Sequence, residues 1–196
     1  MPLPDVITAG FANSGTSFLT ELVASMGFSP GSSRLLKMGD GHNRYGYWEH
    51  LPMRAVEWQR GRFDERKIPS VPYPSHDRIS RDIAELARTD NIEVYKATTL
   101  PWTYRWFSAG RAVLIRRSAD TLYERYYEGV GWSLNGFRAA HAKYYDLAAK
   151  HLDAEWDVLW LEYESFADNL TASITAVCEF LGRPFTQSLL HIWRPR

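Results

Sequence analysis

Cysteine is nearly missing from this sequence. Cys178 is the single one among 196 residues, which excludes a disulfide framework and any site built on paired cysteine ligands; a reducing, cytoplasmic setting is the expectation. Net charge is missing as well. Lys plus Arg and Asp plus Glu each number 23, so the chain has no overall positive field of the kind that drives sequence-independent nucleic-acid binding, and nucleic acid is not an expected partner. Any anion site must therefore be local. No apolar run approaches the roughly 20 residues of a membrane span, and the opening Met1-Pro2-Leu3-Pro4-Asp5 lacks the charged and apolar regions of a secretion signal. Neither a membrane span nor export is expected. His42, His76, His141, His151 and His191 show no ligand spacing with carboxylates or cysteines, so no metal is expected.

What is present suits one substantial core. The apolar content is 45%, and at this length a single domain over 1–196 is the default. Val6-Ile7-Thr8-Ala9 is a short apolar run ending at Gly10, and it reads as a buried strand. Phe18, Leu19, Leu22, Val23 and Met26 then recur at helical spacing, with Gly27 as a stop. Ser29 to Trp48 has no clean period and reads as a long loop, with a helix starting near Trp48. Pro69, Pro72 and Pro74 break any regular element between Arg60 and Ser75. Ile79, Ile83, Leu86 and Ala87 predict an amphipathic helix, and Ile92–Tyr95, Arg111–Ile115 and Trp156–Leu161 predict further strands. Strands alternating with helices argue for an α/β protein in three layers, a central parallel sheet between helices, with ligands bound outside the carboxyl ends of the strands.

The loop Gly10-Phe-Ala-Asn13-Ser14-Gly15-Thr16-Ser17 has the glycine spacing of a phosphate-binding loop and lies between a strand and a helix, the context such a motif requires. Glycines let backbone N–H groups converge on an anion, and the helix N-terminus adds its partial positive charge. The hydroxyls of Ser14, Thr16 and Ser17 offer further donors. A kinase or nucleoside triphosphatase would carry lysine where Thr16 stands, because that ammonium reaches the outer phosphates. The same pattern also serves a tight turn that binds nothing.

With Ser14-Gly15-Thr16-Ser17, the chain resembles the PAPS-dependent sulfotransferases, whose loop around the 5′-phosphosulfate reads Arg or Lys, Ser, Gly, Thr, Thr or Ser. Asn43-Arg-Tyr-Gly46-Tyr47-Trp48-Glu49-His50 is similar to a segment of many bacterial sulfotransferases. Val113-Leu-Ile-Arg116-Arg-Ser-Ala-Asp120 resembles their 3′-phosphate strand and turn. Leu161-Glu162-Tyr163-Glu164 and Glu179-Phe180-Leu181-Gly182 resemble two late landmarks. The matches run in the family's order from Ile7 to Phe185. Three positions depart from it: Asn13 stands for the basic residue before Ser-Gly-Thr, Glu124 for a phosphate-binding serine, and Trp193-Arg194-Pro195-Arg196 for a glycine-rich basic loop.

The resemblance implies a P-loop-like sulfotransferase fold, PAPS as donor, and a hydroxyl or amine on a small molecule or glycan as acceptor. It implies Gly10, Asn13, Ser14, Gly15, Thr16, Ser17 and Arg116 as donor-binding residues. Sulfuryl transfer further needs positive charge on the leaving oxygen and a base for the acceptor. Lys96, at a strand end, is the candidate cation, and Glu49 or His50 the candidate base. Tyr45, Tyr47 and Trp48 are candidates for an acceptor pocket. The alternatives are a non-catalytic relative that kept the fold and another P-loop phosphotransferase. Oligomeric state is not legible.

Overall fold

Alternation along each strand divides the side chains between two helical layers. The structure, a computed structural model, describes residues 4–37, 39, 46–55, 76–107 and 110–193. Among these residues the strands are β1 (Val6–Ala9), β2 (Val94–Lys96), β3 (Arg111–Arg116) and β4 (Asp157–Glu162). They lie in the order β2-β1-β3-β4, every neighbouring pair parallel. The segments proposed from Gly41 to Tyr45 and from Arg60 to Ser75, with Asn43, Tyr45 and the three prolines, lie outside the described residues.

The principal helices are α1 (Thr16–Ser25), α2 (His76–Thr89), α3 (Leu100–Thr103), α4 (Ala119–Leu122), α5 (Leu134–Leu152), α6 (Tyr163–Asp168) and α7 (Leu170–Leu181). Residues 51–55 are also helical. Val6, Val94, Val113 and Ile115 face one layer, where they meet Leu19, Leu22 and Val23 of α1 and Ile174, Val177, Cys178 and Leu181 of α7. The α7 set recurs at the i, i+3, i+4, i+7 spacing that makes one apolar stripe. Ile7, Ala9, Tyr95, Ala112 and Leu114 face the other layer, where they meet Ile79, Ile83 and Ala87 of α2 and Ala148 and Leu152 of α5. The expected three-layer α/β/α arrangement is what forms. No helix among the described residues is long and apolar enough to cross a membrane.

Two local differences matter. The second strand begins at Val94, not Ile92, because the preceding residues pair elsewhere. Ile92 bridges Pro30 in antiparallel fashion, and the N–H groups of Glu93 and Val94 both donate to the Ser29 carbonyl. Beyond α4 the chain also makes a π-helical turn, Tyr123–Tyr127, which no periodicity announced.

The strand order has a functional corollary. From β1 the chain passes to β2 on one side, and β3 lies on the other. The carboxyl ends of β1 and β3 thus flank a topological switch point, the place where open parallel sheets hold ligands. Gly10 leaves β1 there, and Arg116 and Arg117 leave β3 beside it.

Candidate active site

The glycine loop owes its shape to close approaches that only glycine permits. A Cβ at Gly10 would collide with the Ile115 carbonyl oxygen of β3 and come within 2.6 Å of Ser14 Oγ. Gly15, the N-cap of α1, has φ 104°, and a Cβ there would sit 2.7 Å from the Tyr163 ring. Asn13 also adopts a left-handed conformation, φ 67°, one that asparagine tolerates better than most residues. Its Nδ2 donates to the Tyr127 hydroxyl at 3.2 Å, tying the loop to the π-turn. Where the resembled family carries a charge, this chain thus has a tether.

Two further bonds fasten the loop to the sheet. The Tyr145 hydroxyl donates to Ile115 O at 2.8 Å and accepts from Phe11 N–H at 3.1 Å. Burial pushes this phenol up to about 12. Ser14 is fully buried, and its hydroxyl donates to Phe11 O at 2.6 Å. Ser14 therefore braces the loop, and its proton is already committed. The N–H groups of Gly15 and Thr16, at the start of α1, have no acceptor among the described residues. A helix N-terminus with open amides and glycine-limited space fits a phosphate-type group.

Lys96 reaches this loop from β2. It shares the parity of Val94, so it faces the α1 layer, and it is 5% exposed. Its Nζ donates to Ser17 Oγ at 3.1 Å, Tyr47 O at 3.0 Å and Glu49 Oε1 at 3.1 Å. Burial lowers the pKa of this ammonium, and the Glu49 carboxylate opposes the shift. Glu49 is itself buried and also pairs through Oε2 with Arg54 Nη1 at 2.7 Å. Between Tyr47 and Glu49, Trp48 adopts φ 54°, a costly conformation for a bulky residue. It separates the carbonyl and the carboxylate that converge on one ammonium.

A cation not anticipated from the sequence stands close by. Lys37 pairs with the 47–49 segment through Lys37 N–H to Glu49 O and Tyr47 N–H to Lys37 O, at 2.9 and 3.2 Å. Its ammonium lies 3.5 Å from the centre of the Tyr47 ring, which Lys96 approaches at 5.9 Å. These bonds and the antiparallel contact of Leu36 with His50 bring Lys37 here, and none of them is announced by a local signal.

His50 is 1% exposed and spans two structural partners. Its Nε2 lies 2.8 Å from Asp90 Oδ2, and Nδ1 accepts the Met53 N–H at 3.4 Å. Asp90 in turn accepts the Ser32 N–H at 2.7 Å. Both imidazole nitrogens are engaged away from Lys96, so the two base candidates separate: Glu49 joins the loop, and His50 fastens the 50–53 turn to the end of α2.

Arg116, the last residue of β3, and Arg117, just beyond it, part in the same way. Arg116 shares the parity of Leu114, faces the α5 layer, is 54% exposed and lies 3.5 Å from Glu162. Arg117 takes the opposite side, is 5% exposed and stacks 4.2 Å above the Tyr163 ring, the ring that borders Gly15. Extended backbone carries the alternation of β3 one residue past its end, so consecutive side chains point to opposite faces. Glu124 is exposed on the π-turn, where its carboxylate stays in water. Among the described residues no group of three or more His, Cys, Asp and Glu stands together.

No protein-family model matches the chain, and no curated protein matches it in sequence. Among solved structures it is similar to the sulfotransferase domain from the curacin biosynthetic pathway, with a TM-score of 0.55 and 13% identity over 100% of this chain and 80% of that one. It is likewise similar to the sulfotransferase domain from the Synechococcus PCC 7002 olefin synthase, with a TM-score of 0.52 and 18% identity over 100% and 78%. The parallel sheet with helical layers on both faces is thus the fold of these sulfotransferase domains.

Proposed function

We propose that the protein is a sulfotransferase that passes a sulfuryl group from PAPS to a hydroxyl or amine on a small-molecule or glycan acceptor. The observation that carries this reading is the convergence on Lys96 Nζ of the loop hydroxyl of Ser17 and the carboxylate of Glu49, each 3.1 Å away. An anion cradle, a cation and a base candidate then share one strand end. PAPS, when bound, supplies a sulfuryl group on a phosphosulfate whose bridging oxygen gains negative charge as that group departs.

The chain's residues divide the remaining work. The amides of Gly15 and Thr16 and the α1 N-terminus bind the anion. Lys96 stabilises charge on the leaving oxygen, a contribution worth most in a site shielded from water. Glu49 takes the acceptor proton as the new S–O or S–N bond forms and the old S–O bond breaks. Lys96 and Arg54 both hold Glu49 in the ligand-free fold; a turn of Lys96 to the leaving oxygen would leave the carboxylate on Arg54 and open one of its oxygens to the acceptor. His50, through Asp90, positions the segment that carries Glu49.

The test is calorimetry of the full chain with adenosine 3′,5′-bisphosphate at low salt, followed by an acceptor screen with radiolabelled PAPS. Binding together with label transfer is the expected result. No binding of the bisphosphate overturns the reading, and binding without transfer to any acceptor favours a non-catalytic relative.

A further inference from the structure

Charged groups crowd around the segment 47–49, and among the described residues only one of them is negative. Glu49 pairs with Lys96 at 3.1 Å and with Arg54 at 2.7 Å. Lys37 is tied to the same segment by its backbone, whose N–H donates to Glu49 O and whose carbonyl accepts the Tyr47 N–H. Its charge is felt there: after burial, the Arg54 guanidinium and the Lys37 ammonium also push the Lys96 pKa down. One carboxylate thus stands among three cations, in a chain whose net charge is zero.

Two of those cations are accounted for. Lys96 is bonded to Ser17, Tyr47 O and Glu49, and Arg54 is paired with Glu49. Lys37 is only half-buried, and among the described residues its ammonium has no carboxylate; its contact is the Tyr47 ring, 3.5 Å from the centre. An aromatic face recovers part of what a cation loses in leaving water. It accepts no N–H in the way an oxygen does, so the ammonium keeps donors to offer. Lys37 also makes no bond to the glycine loop among the described residues. Its links run to Tyr47 and to Glu49, the residue that meets the acceptor in the proposed reaction, so its charge belongs to the acceptor side of the site.

We infer that Lys37, seated on Tyr47, is a specificity-determining residue that holds an anionic group of the acceptor, and that the acceptor is an acid, carrying a carboxylate near the hydroxyl or amine that Glu49 deprotonates. A compact ammonium with three donors suits a carboxylate without demanding one fixed plane. A neutral alcohol would leave the surplus positive charge unanswered, since Glu49 is already shared by two cations. A small hydroxy acid and a uronic-acid glycan offer the same chemistry. That this molecule is sulfated rests on the proposed function; the seat itself rests on the unpaired ammonium.

The experiment uses the full chain as wild type, Lys37→Gln, Lys37→Arg and Lys37→Glu. The probes are two matched pairs, 4-hydroxyphenylacetate with its methyl ester and methyl β-D-glucuronide with methyl β-D-glucoside. Calorimetry records their binding with and without adenosine 3′,5′-bisphosphate, radiolabelled PAPS records transfer, and thermal unfolding is followed without ligand. The wild type is expected to prefer the acid of at least one pair by about tenfold, the worth of one charge-assisted hydrogen bond. Which pair shows the preference tells a small acid from a glycan. K37R should keep it, K37Q should lose it in KM and not in kcat, and K37E should reverse it, while affinity for the bisphosphate stays at the wild-type value in K37Q. A preference that survives in K37Q overturns the inference. So does a K37Q protein that loses the bisphosphate, which would put Lys37 on the donor, or one that melts well below the wild type, which would make the ammonium structural. If the wild type binds an acid but not the bisphosphate, and K37Q loses the acid, the seat stands and the PAPS reading falls. If the wild type binds the bisphosphate but prefers neither acid, the PAPS reading stands and the seat falls. A wild type that binds neither the bisphosphate nor an acid overturns both.

Discussion

The ammonium of Lys96 lies 3.1 Å from the carboxylate of Glu49, and both groups are almost wholly withdrawn from solvent. A buried pair of this kind responds unequally to loss of each member. Glu49→Gln leaves the Lys96 charge with only neutral acceptors, Ser17 and Tyr47 O, and is expected to destabilise the fold by about 3 kcal/mol. Lys96→Met leaves Glu49 still paired with Arg54 and costs less stability, but transfer is expected to fall by roughly a hundredfold or more. Chemical denaturation and turnover of the two variants, measured together, check the asymmetry.

Burial depresses the Lys96 pKa below the ordinary 10.5. In the window between that depressed value and 10.5, the unfolded chain holds a proton that the folded chain has released, so stability rises with pH through this window. Lys96→Met is expected to remove that rise. Melting curves of wild type and variant across alkaline pH give the comparison; parallel curves would contradict the shift.

Tyr145 gives the opposite slope. Its hydroxyl remains protonated in the fold up to about 12, against 10.0 for an ordinary tyrosine. The folded state therefore holds the extra proton, and the stabilisation is complete below pH 10 and lost between 10 and about 12, to the extent of roughly 2–3 kcal/mol. Tyr145→Phe is expected to flatten this loss. It also leaves Phe11 N–H and Ile115 O without their shared partner, at a cost of about 1–3 kcal/mol near neutral pH.

His50 and Glu49 are distinguished by what each variant loses. His50→Gln is expected to lower stability by about 1–3 kcal/mol through the contacts with Asp90 and the Met53 amide, while the folded variant keeps most of its transfer rate. Glu49→Gln should lower that rate by roughly a hundredfold or more. A loss of that size in folded H50Q instead would make the imidazole the base.

Asn13→Lys reintroduces a charge at the loop. The variant gives up the Tyr127 hydrogen bond and places a longer side chain at φ 67°, so it is expected to be about 1 kcal/mol less stable. Affinity for adenosine 3′,5′-bisphosphate should nevertheless increase. Calorimetry showing weaker binding in a folded N13K protein would mean that the tether matters more than the charge.

The fold was legible wherever local pattern and tertiary environment agree. Val6–Ala9 is mostly apolar and wholly buried because β1 is covered on both faces, and Leu19, Leu22 and Val23 recur because α1 buries one side. Lys96 was expected at the crevice because strand carboxyl ends face it, and its Nζ lies 3.1 Å from Ser17 Oγ of the loop. The resemblance points to Arg116, but which of two consecutive residues turns toward α1 is fixed by packing against distant helices, and it is Arg117 that lies buried on Tyr163. The separation of Glu49 from His50 was hidden for a similar reason, since Asp90 becomes a neighbour only after α2 docks. The strand begins two residues later than the apolar pattern suggests because Ser29 captures the Glu93 and Val94 amides.

The central place of β1 also bears on how the molecule is made. Val6 pairs with Val94 on one side and Arg111 on the other, so β1 must wait for almost ninety further residues before its first edge is satisfied and for more than a hundred before its second is. Closing such wide contacts precedes any reward from them, which makes folding slow. The nascent chain carries an unpaired apolar strand for that whole interval, an opening for aggregation or chaperone capture. The glycine loop, clamped between Ile115 and Tyr163, has its full set of contacts only when those two later segments are in place.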